Sequence, residues 1–139
     1  MAKQHATLTR IEVGQASAKQ AAHEEALQTA SVSLASAARL TGASVDRLRR
    51  LVARGEVVAF TTGGSIRVPL WQLQSSEVAP AIPGSAILAR AFPGSLADLN
   101  YWIGRPHVDL VGDSPEAALK RGEGSRVLSL VRAIGAAGR

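Results

Sequence analysis

Prolines and glycines concentrated between residues 75 and 94 constrain this chain most, because they interrupt any helix or strand that would cross the segment. The interrupting residues are Pro80, Pro83, Gly84, Pro93 and Gly94. We therefore expect a hinge over 75–94, with a short helix at 85–91, between two compact units, 32–74 and 95–139. Residues 1–31, which are polar and rich in alanine and glutamine, are predicted to form an N-terminal arm or a dimerisation helix.

Each unit has to build its core from small aliphatic side chains, because only 4% of the 139 residues are aromatic although 46% are hydrophobic. Two modest cores fit this composition better than one large core. The sequence has no cysteine, no apolar N-terminal segment typical of a signal peptide and no apolar run of membrane-spanning length. These features predict a cytoplasmic protein without disulfides, thiolate metal sites or a membrane partner.

The residue types that catalysis or metal binding needs are scattered along the chain. His5, His23 and His107 lie far apart, and none has the spacing of a metal ligand. The sequence contains no P-loop, nucleophile elbow or EF-hand pattern. We therefore expect no enzymatic activity, no cofactor and no metal ion.

Residues 32–74 begin with the pattern of two short helices joined by a tight turn. Ser33 is predicted to cap a helix over 34–41 that ends at Gly42. Ser44 is predicted to cap a second helix over 45–54, in which Val45, Leu48, Leu51 and Val52 form one apolar stripe.

A β-hairpin is predicted to follow the two helices. Its strands are expected at 57–60 and 66–70, around a glycine-rich turn at 61–65. Pro69 cannot donate a ladder hydrogen bond, so the second strand is expected at a sheet edge. Helix, turn, helix and hairpin together predict a winged helix-turn-helix, within a fold that is mainly α.

The excess positive charge of the chain, +5 overall, is concentrated in this unit. Residues 39–67 hold six arginines against Asp46 and Glu56, whereas the charges of 75–139 nearly balance. In a helix-turn-helix the second helix enters the major groove, where arginine can pair with guanine or phosphate. The predicted DNA-binding residues are Ser44, Arg47, Arg49, Arg50, Arg54, Thr62, Gly63 and Arg67. The alternative is an ordinary helical hairpin with a solvated basic face.

The run from Ser33 to Phe60 resembles the excisionase/MerR-like winged helix-turn-helix. The shared features are the "AARLTG" helix, the serine after the turn, the "ARGE" exit towards the wing, and "RVPLWQL" at the end of the module. This resemblance implies a double-stranded DNA operator as a partner. Since one such module contacts few base pairs, a homodimer or larger assembly is expected.

Residues 95–139 are predicted to form a small helical domain. Ser95 and Asp98 have the spacing of a capping box, and Ser114, followed by proline, is a second predicted cap. Ser125 is expected to cap a last helix that frays at Gly135.

This C-terminal unit resembles the toxin-binding domain of Xre/MbcA/ParS-type antitoxins. The residues that carry the resemblance are the "LNYWI" run from Leu99, then Pro106, Leu110, Gly112, Pro115, Leu119, Gly122 and the valine- and leucine-rich last helix. In that family the partner is a RES-fold or ADP-ribosyl-type toxin, and the C-terminal end of the antitoxin blocks the toxin's active site. The expected partner-contact residues are Trp102, Arg126, Val127, Leu130, Val131, Ile134 and Arg139.

Several of these residues have a simpler interpretation. Trp102 can be the only large core residue of a helical mini-domain, and Val127, Val131 and Ile134 can be core rather than interface. The predicted function is nevertheless an antitoxin of a type II toxin–antitoxin system that neutralises its toxin and represses its own operon. The alternatives are a stand-alone phage-type regulator or excisionase, and an accessory subunit of an enzyme.

Overall fold

A computed structural model describes residues 17–137, which form a mainly helical protein with one small sheet. The first helix, α1, covers 17–29 of the described chain. The later helices are α2 (Leu34–Thr41), α3 (Val45–Ala53), α4 (Ser85–Ala91), α5 (Leu96–Ile103), α6 (Pro115–Lys120) and α7 (Gly124–Ala137). Short 3-10 turns lie at Leu70–Gln72 and Val108–Leu110. The prediction of a mainly α protein is confirmed.

The two helices of the predicted DNA-binding unit begin and end where their capping residues indicate. The Ser33 hydroxyl accepts a hydrogen bond from the Ser36 N–H, and the Ser44 hydroxyl accepts one from the Arg47 N–H. Gly42 ends α2 with a φ of 87°, a conformation that other residues adopt only with strain. The turn between α2 and α3 is therefore fixed at both ends by local hydrogen bonds.

The sheet has three antiparallel strands in the order β1, β3, β2, with β1 at Ser31–Ser33, β2 at Phe60–Thr62 and β3 at Ser65–Pro69. The predicted hairpin is present, but its first strand starts at Phe60 instead of residue 57. Its turn consists of Gly63 and Gly64, with φ values of 55° and 78°. Positive φ at both positions is typical of a type I′ turn, which glycine adopts readily.

The predicted edge position of Pro69 is wrong, because β3 is the central strand. β2 begins at Phe60, opposite Arg67, so Pro69 has only β1 beside it. The Leu70 N–H donates to the Ala30 carbonyl on the β1 side. Since successive N–H groups of a strand alternate in direction, the Pro69 nitrogen faces the opposite side, where no β2 residue is paired with it. The missing N–H of proline therefore costs no ladder hydrogen bond.

Two hydrophobic cores form, as the composition predicts. The first lies among α2, α3 and the sheet and consists of Leu34, Ala37, Ala43, Leu48, Leu51, Val57 and Val68. The second lies among the later helices and consists of Trp71, Ile82, Leu88, Leu99, Ile103, Leu110, Ala118, Leu119, Val127 and Val131.

The predicted hinge is an integral part of the second core. Leu88 on α4 is 1% exposed, and Ile82 is also buried. Trp71, at the end of the first unit, is buried in the second core, whereas Trp102 is only half-buried. The large buried tryptophan is therefore Trp71. Because Trp71 ends the first unit and packs in the second core with Ile82 and Leu88, side-chain packing joins the two units through segment 75–94.

The helix α1 packs against α5 of the C-terminal unit. His23 Nδ1 donates to Asp98 Oδ1 at 2.8 Å, and the His23 ring stacks on Tyr101 with a centroid separation of 4.2 Å. Leu27 is buried as well. The described part of the predicted arm is thus a docked helix, while residues 1–16 lie outside the described range.

Two further boundaries concern the C-terminal helices. The Ser95–Asp98 capping box and the Ser114 cap are confirmed. The predicted cap at Ser125 is wrong, because α7 begins at Gly124 and the N–H groups of Arg126 and Val127 donate to the Glu123 carbonyl. The helix also continues past Gly135 to Ala137.

Candidate nucleic-acid interface

The helix α3 has one buried apolar face and one exposed basic face. Leu48 and Leu51 are buried in the first core. Arg49, Arg50 and Arg54 are exposed. Because these arginines lie on a helix that is capped and packed on its other side, their Cα positions are fixed while their guanidinium groups remain accessible.

The acidic partners of these arginines are weak competitors for an anionic ligand. Arg49 Nη1 lies 3.2 Å from Asp46 Oδ1, and Arg54 Nη1 lies 3.8 Å from Glu56 Oε2. All four side chains are more than half exposed, and solvent-exposed pairs of this kind contribute about 0–1 kcal/mol. The Arg50 side chain makes no hydrogen bond or ion pair with residues 17–137.

Arg47, predicted to belong to the same surface, has a different environment. Its Nε donates to the Glu77 carbonyl at 3.1 Å, and its Nη2 donates to the Val78 carbonyl at 2.9 Å. The guanidinium therefore joins α3 to the loop after the sheet. Ser44 is exposed at the start of α3, where its hydroxyl caps the helix.

The tip of the β-hairpin projects away from the core. Gly63 and Gly64 are exposed, and a Cβ added at either position would meet no atom within 4 Å. Thr62 lies at the base of this turn and is half-buried. Open space around a two-glycine tip permits close approach of a nucleic-acid backbone.

Arg67 lies farther down the hairpin and is engaged within the protein. Its Nε donates to the Ser31 hydroxyl at 2.9 Å, and its Nη2 donates to the Ser31 carbonyl at 2.6 Å. Both contacts tie β3 to β1, so Arg67 holds the third strand of the sheet in place. The sequence pattern could not indicate this role, because the acceptor lies 36 residues away.

Arg39 is an exposed cation that the predicted site omits. It lies in the last turn of α2, where its Nη2 donates to the Ser36 hydroxyl at 2.9 Å. Its place in the arginine-rich stretch 39–67 was the sequence signal that could have identified it. The exposed arginines are Arg39 on α2, Arg49 and Arg50 on α3, and Arg54 directly after α3, and we refer to these four as the basic surface.

Charges in the C-terminal unit are largely paired. Arg121 contacts Glu123 at 2.7 Å and Asp113 at 2.8 Å, and Glu123 also lies 3.3 Å from Arg126. The Arg121 hydrogen bond is the largest influence that lowers the pKa of Glu123 below its usual value. Arg121 and Arg126 are therefore compensated by carboxylates of their own unit.

The predicted partner-contact residues divide into buried and accessible groups. Val127 and Val131 are 0% exposed in the second core, so in this fold their predicted contact with a partner is prevented by the chain's own packing. Trp102 is half-buried against Phe92 and His107, with centroid separations of 5.7 and 5.8 Å.

The remaining predicted contacts lie along α7. Leu130 and Ile134 are half-buried, one helical turn apart. Arg126 Nη2 donates to the Asp109 carbonyl at 3.3 Å, and Arg139 lies outside the described residues.

Two other kinds of site are not seen among residues 17–137. Their histidine and acidic side chains form no cluster that could hold a metal ion. None of the helices described combines the length and the apolar character needed to cross a membrane. No protein-family model, curated protein or solved structure matches the chain.

Proposed function

We propose that this protein is a transcription regulator of the cytoplasm that binds double-stranded DNA through α3, with the β2–β3 hairpin as a wing. The observation that supports this proposal is the basic surface, which faces solvent on a capped helix pair whose other side is packed. Arginine is suited to this role because its planar guanidinium can pair with two acceptors of guanine or with a phosphate.

Within this proposal, α3 lies in the major groove as the second helix of a helix-turn-helix. Arg50 and Arg54 are one turn apart on the exposed face, and the Gly63–Gly64 tip lies over the neighbouring backbone. One module of this size contacts few base pairs, so we propose a homodimer on symmetric half-sites about 34 Å apart.

The experiment is selection from a randomised duplex library, followed by fluorescence anisotropy with the selected duplex. Arg50→Glu is expected to weaken binding about tenfold or more, the equivalent of at least about 1.4 kcal/mol. Arg132→Glu is the matched control, because it makes the same charge change at an exposed position of α7. Equal affinities of the two variants would contradict the proposal.

We further propose that the protein is an antitoxin, with the exposed side of α7 as the contact for a RES-like or ADP-ribosyl-type toxin. This second component is supported by the sequence resemblance and by one feature of α7. Leu130 and Ile134 present partly exposed apolar surface at successive turns of the helix. Such an arrangement suits insertion of an amphipathic helix into a groove of a partner.

Neutralisation is tested by co-expression with the product of the neighbouring gene, where that gene encodes a toxin-like protein. Removing residues 133–139 takes away the partly exposed Ile134 and the tail but retains the buried Val131, and we expect it to abolish rescue of growth without weakening DNA binding. The same rescue by the truncated and full-length chains would exclude the tail as the inhibitory element. Absence of a neighbouring toxin, with an integrase in its place, would favour the stand-alone regulator or excisionase.

A further inference from the structure

The loop between the sheet and α4 is held in one conformation by its own hydrogen bonds. The Gln74 side-chain amide donates to the Ala79 carbonyl at 2.7 Å, and the Ala79 N–H donates to the Ser76 hydroxyl at 3.1 Å. The Gln74 N–H also donates to the Pro80 carbonyl at 2.9 Å. These contacts close the loop at its base, so the residues at its tip, Glu77 and Val78, have a defined position.

Arg47 fixes this tip against the start of α3. Its guanidinium donates to the carbonyls of two successive residues, Glu77 and Val78. The tip also adjoins the turn before α3, because the Glu77 Cγ lies 3.3 Å from the place that a Cβ would occupy on Gly42. The loop tip is therefore a neighbour of the first turn of α3, which is the part of a recognition helix that reaches the base edges.

Val78 presents an apolar side chain at this position. It is 83% exposed, whereas the two residues that follow it, Ala79 and Pro80, are half-buried and buried. The adjacent Glu77 carboxylate is exposed and would repel a phosphate, so the loop is poorly suited to bind the DNA backbone. In the major groove, the group that an apolar side chain recognises is the C5-methyl of thymine.

On the basis of the DNA-binding function proposed above, we propose that Val78 contacts a thymine methyl group beside the first turn of α3, and that Arg47 is the positioning residue that holds Val78 there. In this proposal Arg47 acts through the loop, because Nε and Nη2 of its guanidinium donate to the two carbonyls. The operator is thus read by two elements, the basic surface and the Val78 loop.

The test uses the full-length protein and the duplex selected from the randomised library, with each thymine replaced in turn by deoxyuracil. For the unmodified protein, one replacement is expected to weaken binding about three- to tenfold, as loss of one buried methyl group implies. Val78→Ala is expected to weaken binding to the thymine duplex and to be insensitive to that same replacement. Val108→Ala is the control, since Val108 is 86% exposed on the C-terminal unit.

Arg47 is tested by the salt dependence of binding. A phosphate contact contributes to the slope of log K against log salt, and its loss reduces that slope by about 1. Arg47→Gln is expected to lose the thymine discrimination while retaining the slope. Arg50→Gln is expected to retain the discrimination and to reduce the slope.

Three results would overturn the inference. The first is that the unmodified protein binds every uracil-substituted duplex as tightly as the thymine duplex. The second is that Val78→Ala distinguishes the thymine duplex from the uracil duplex as well as the unmodified protein does. Both leave DNA binding by the basic surface intact. If no duplex is selected, the proposed function itself fails, and this inference fails with it.

Discussion

The buried side-chain amide of Gln72 pairs with the backbone of Val58 as a neighbouring strand would. Gln72 Nε2 donates to the Val58 carbonyl at 2.7 Å, and Gln72 Oε1 accepts from the Val58 N–H at 2.8 Å. Gln72 is 0% exposed. The pair connects the segment between α3 and β2 to the end of the sheet, where side chains of the two cores meet.

Gln72→Leu is expected to lower the free energy of unfolding by about 2–3 kcal/mol, because it leaves two backbone groups without their partners. Gln28→Leu, on the exposed side of α1, is expected to change it by less than about 0.5 kcal/mol. Urea denaturation followed by circular dichroism measures both values. Similar values for the two variants would show that the Gln72–Val58 pair does not stabilise the junction.

Docking of α1 gives the protein a pH-dependent contribution to stability. The hydrogen bond from His23 is the main cause that lowers the pKa of Asp98 from its usual 3.8. A carboxylate whose pKa is lower in the folded than in the unfolded state stabilises the fold above its unfolded-state pKa. That contribution is lost as the pH falls through the folded-state pKa.

Asp98→Asn is therefore expected to flatten the decline of the melting temperature below about pH 4. His23→Phe is expected to do the same, since phenylalanine retains an aromatic ring beside Tyr101 but cannot donate to Asp98. Thermal unfolding across the acid range measures the effect. An acid decline that is equally steep in both variants and the unmodified protein would contradict it.

Val111 is strained, because it adopts a φ of 57° and its side chain is branched at Cβ. It is also 86% exposed, so glycine at this position loses little packing. We expect Val111→Gly to raise the free energy of unfolding by about 1 kcal/mol, the cost of a left-handed conformation. Val108→Gly, equally exposed and without positive φ, is expected to lower it. Destabilisation by both substitutions would show that Val111 is not strained.

The helical part of the fold could be predicted from sequence because its signals are local. Ser33, Ser44, Ser95 and Ser114 each cap a helix within the next three residues, and Gly42 ends one by adopting positive φ. Such signals depend on neighbours in sequence and not on the rest of the fold.

Features that depend on distant contacts could not be predicted. The strand β1 has only three residues and is defined by its pairing with β3. Ile82 and Leu88 lie among prolines and glycines, so their burial follows from tertiary packing alone. The guanidinium groups of Arg47 and Arg67 bind backbone carbonyls at least 30 residues away, which separates them from the basic surface.

The measurement that tests the central claim most directly is a map of amide chemical shifts, in isotope-labelled protein, as the selected duplex is added. We predict that the largest changes occur at 44–54 and 62–65, with a further group at 76–79, and that α6 and α7 change little. Shifts concentrated on α5 to α7, with α3 unaffected, would contradict the assignment of the basic surface as the DNA interface.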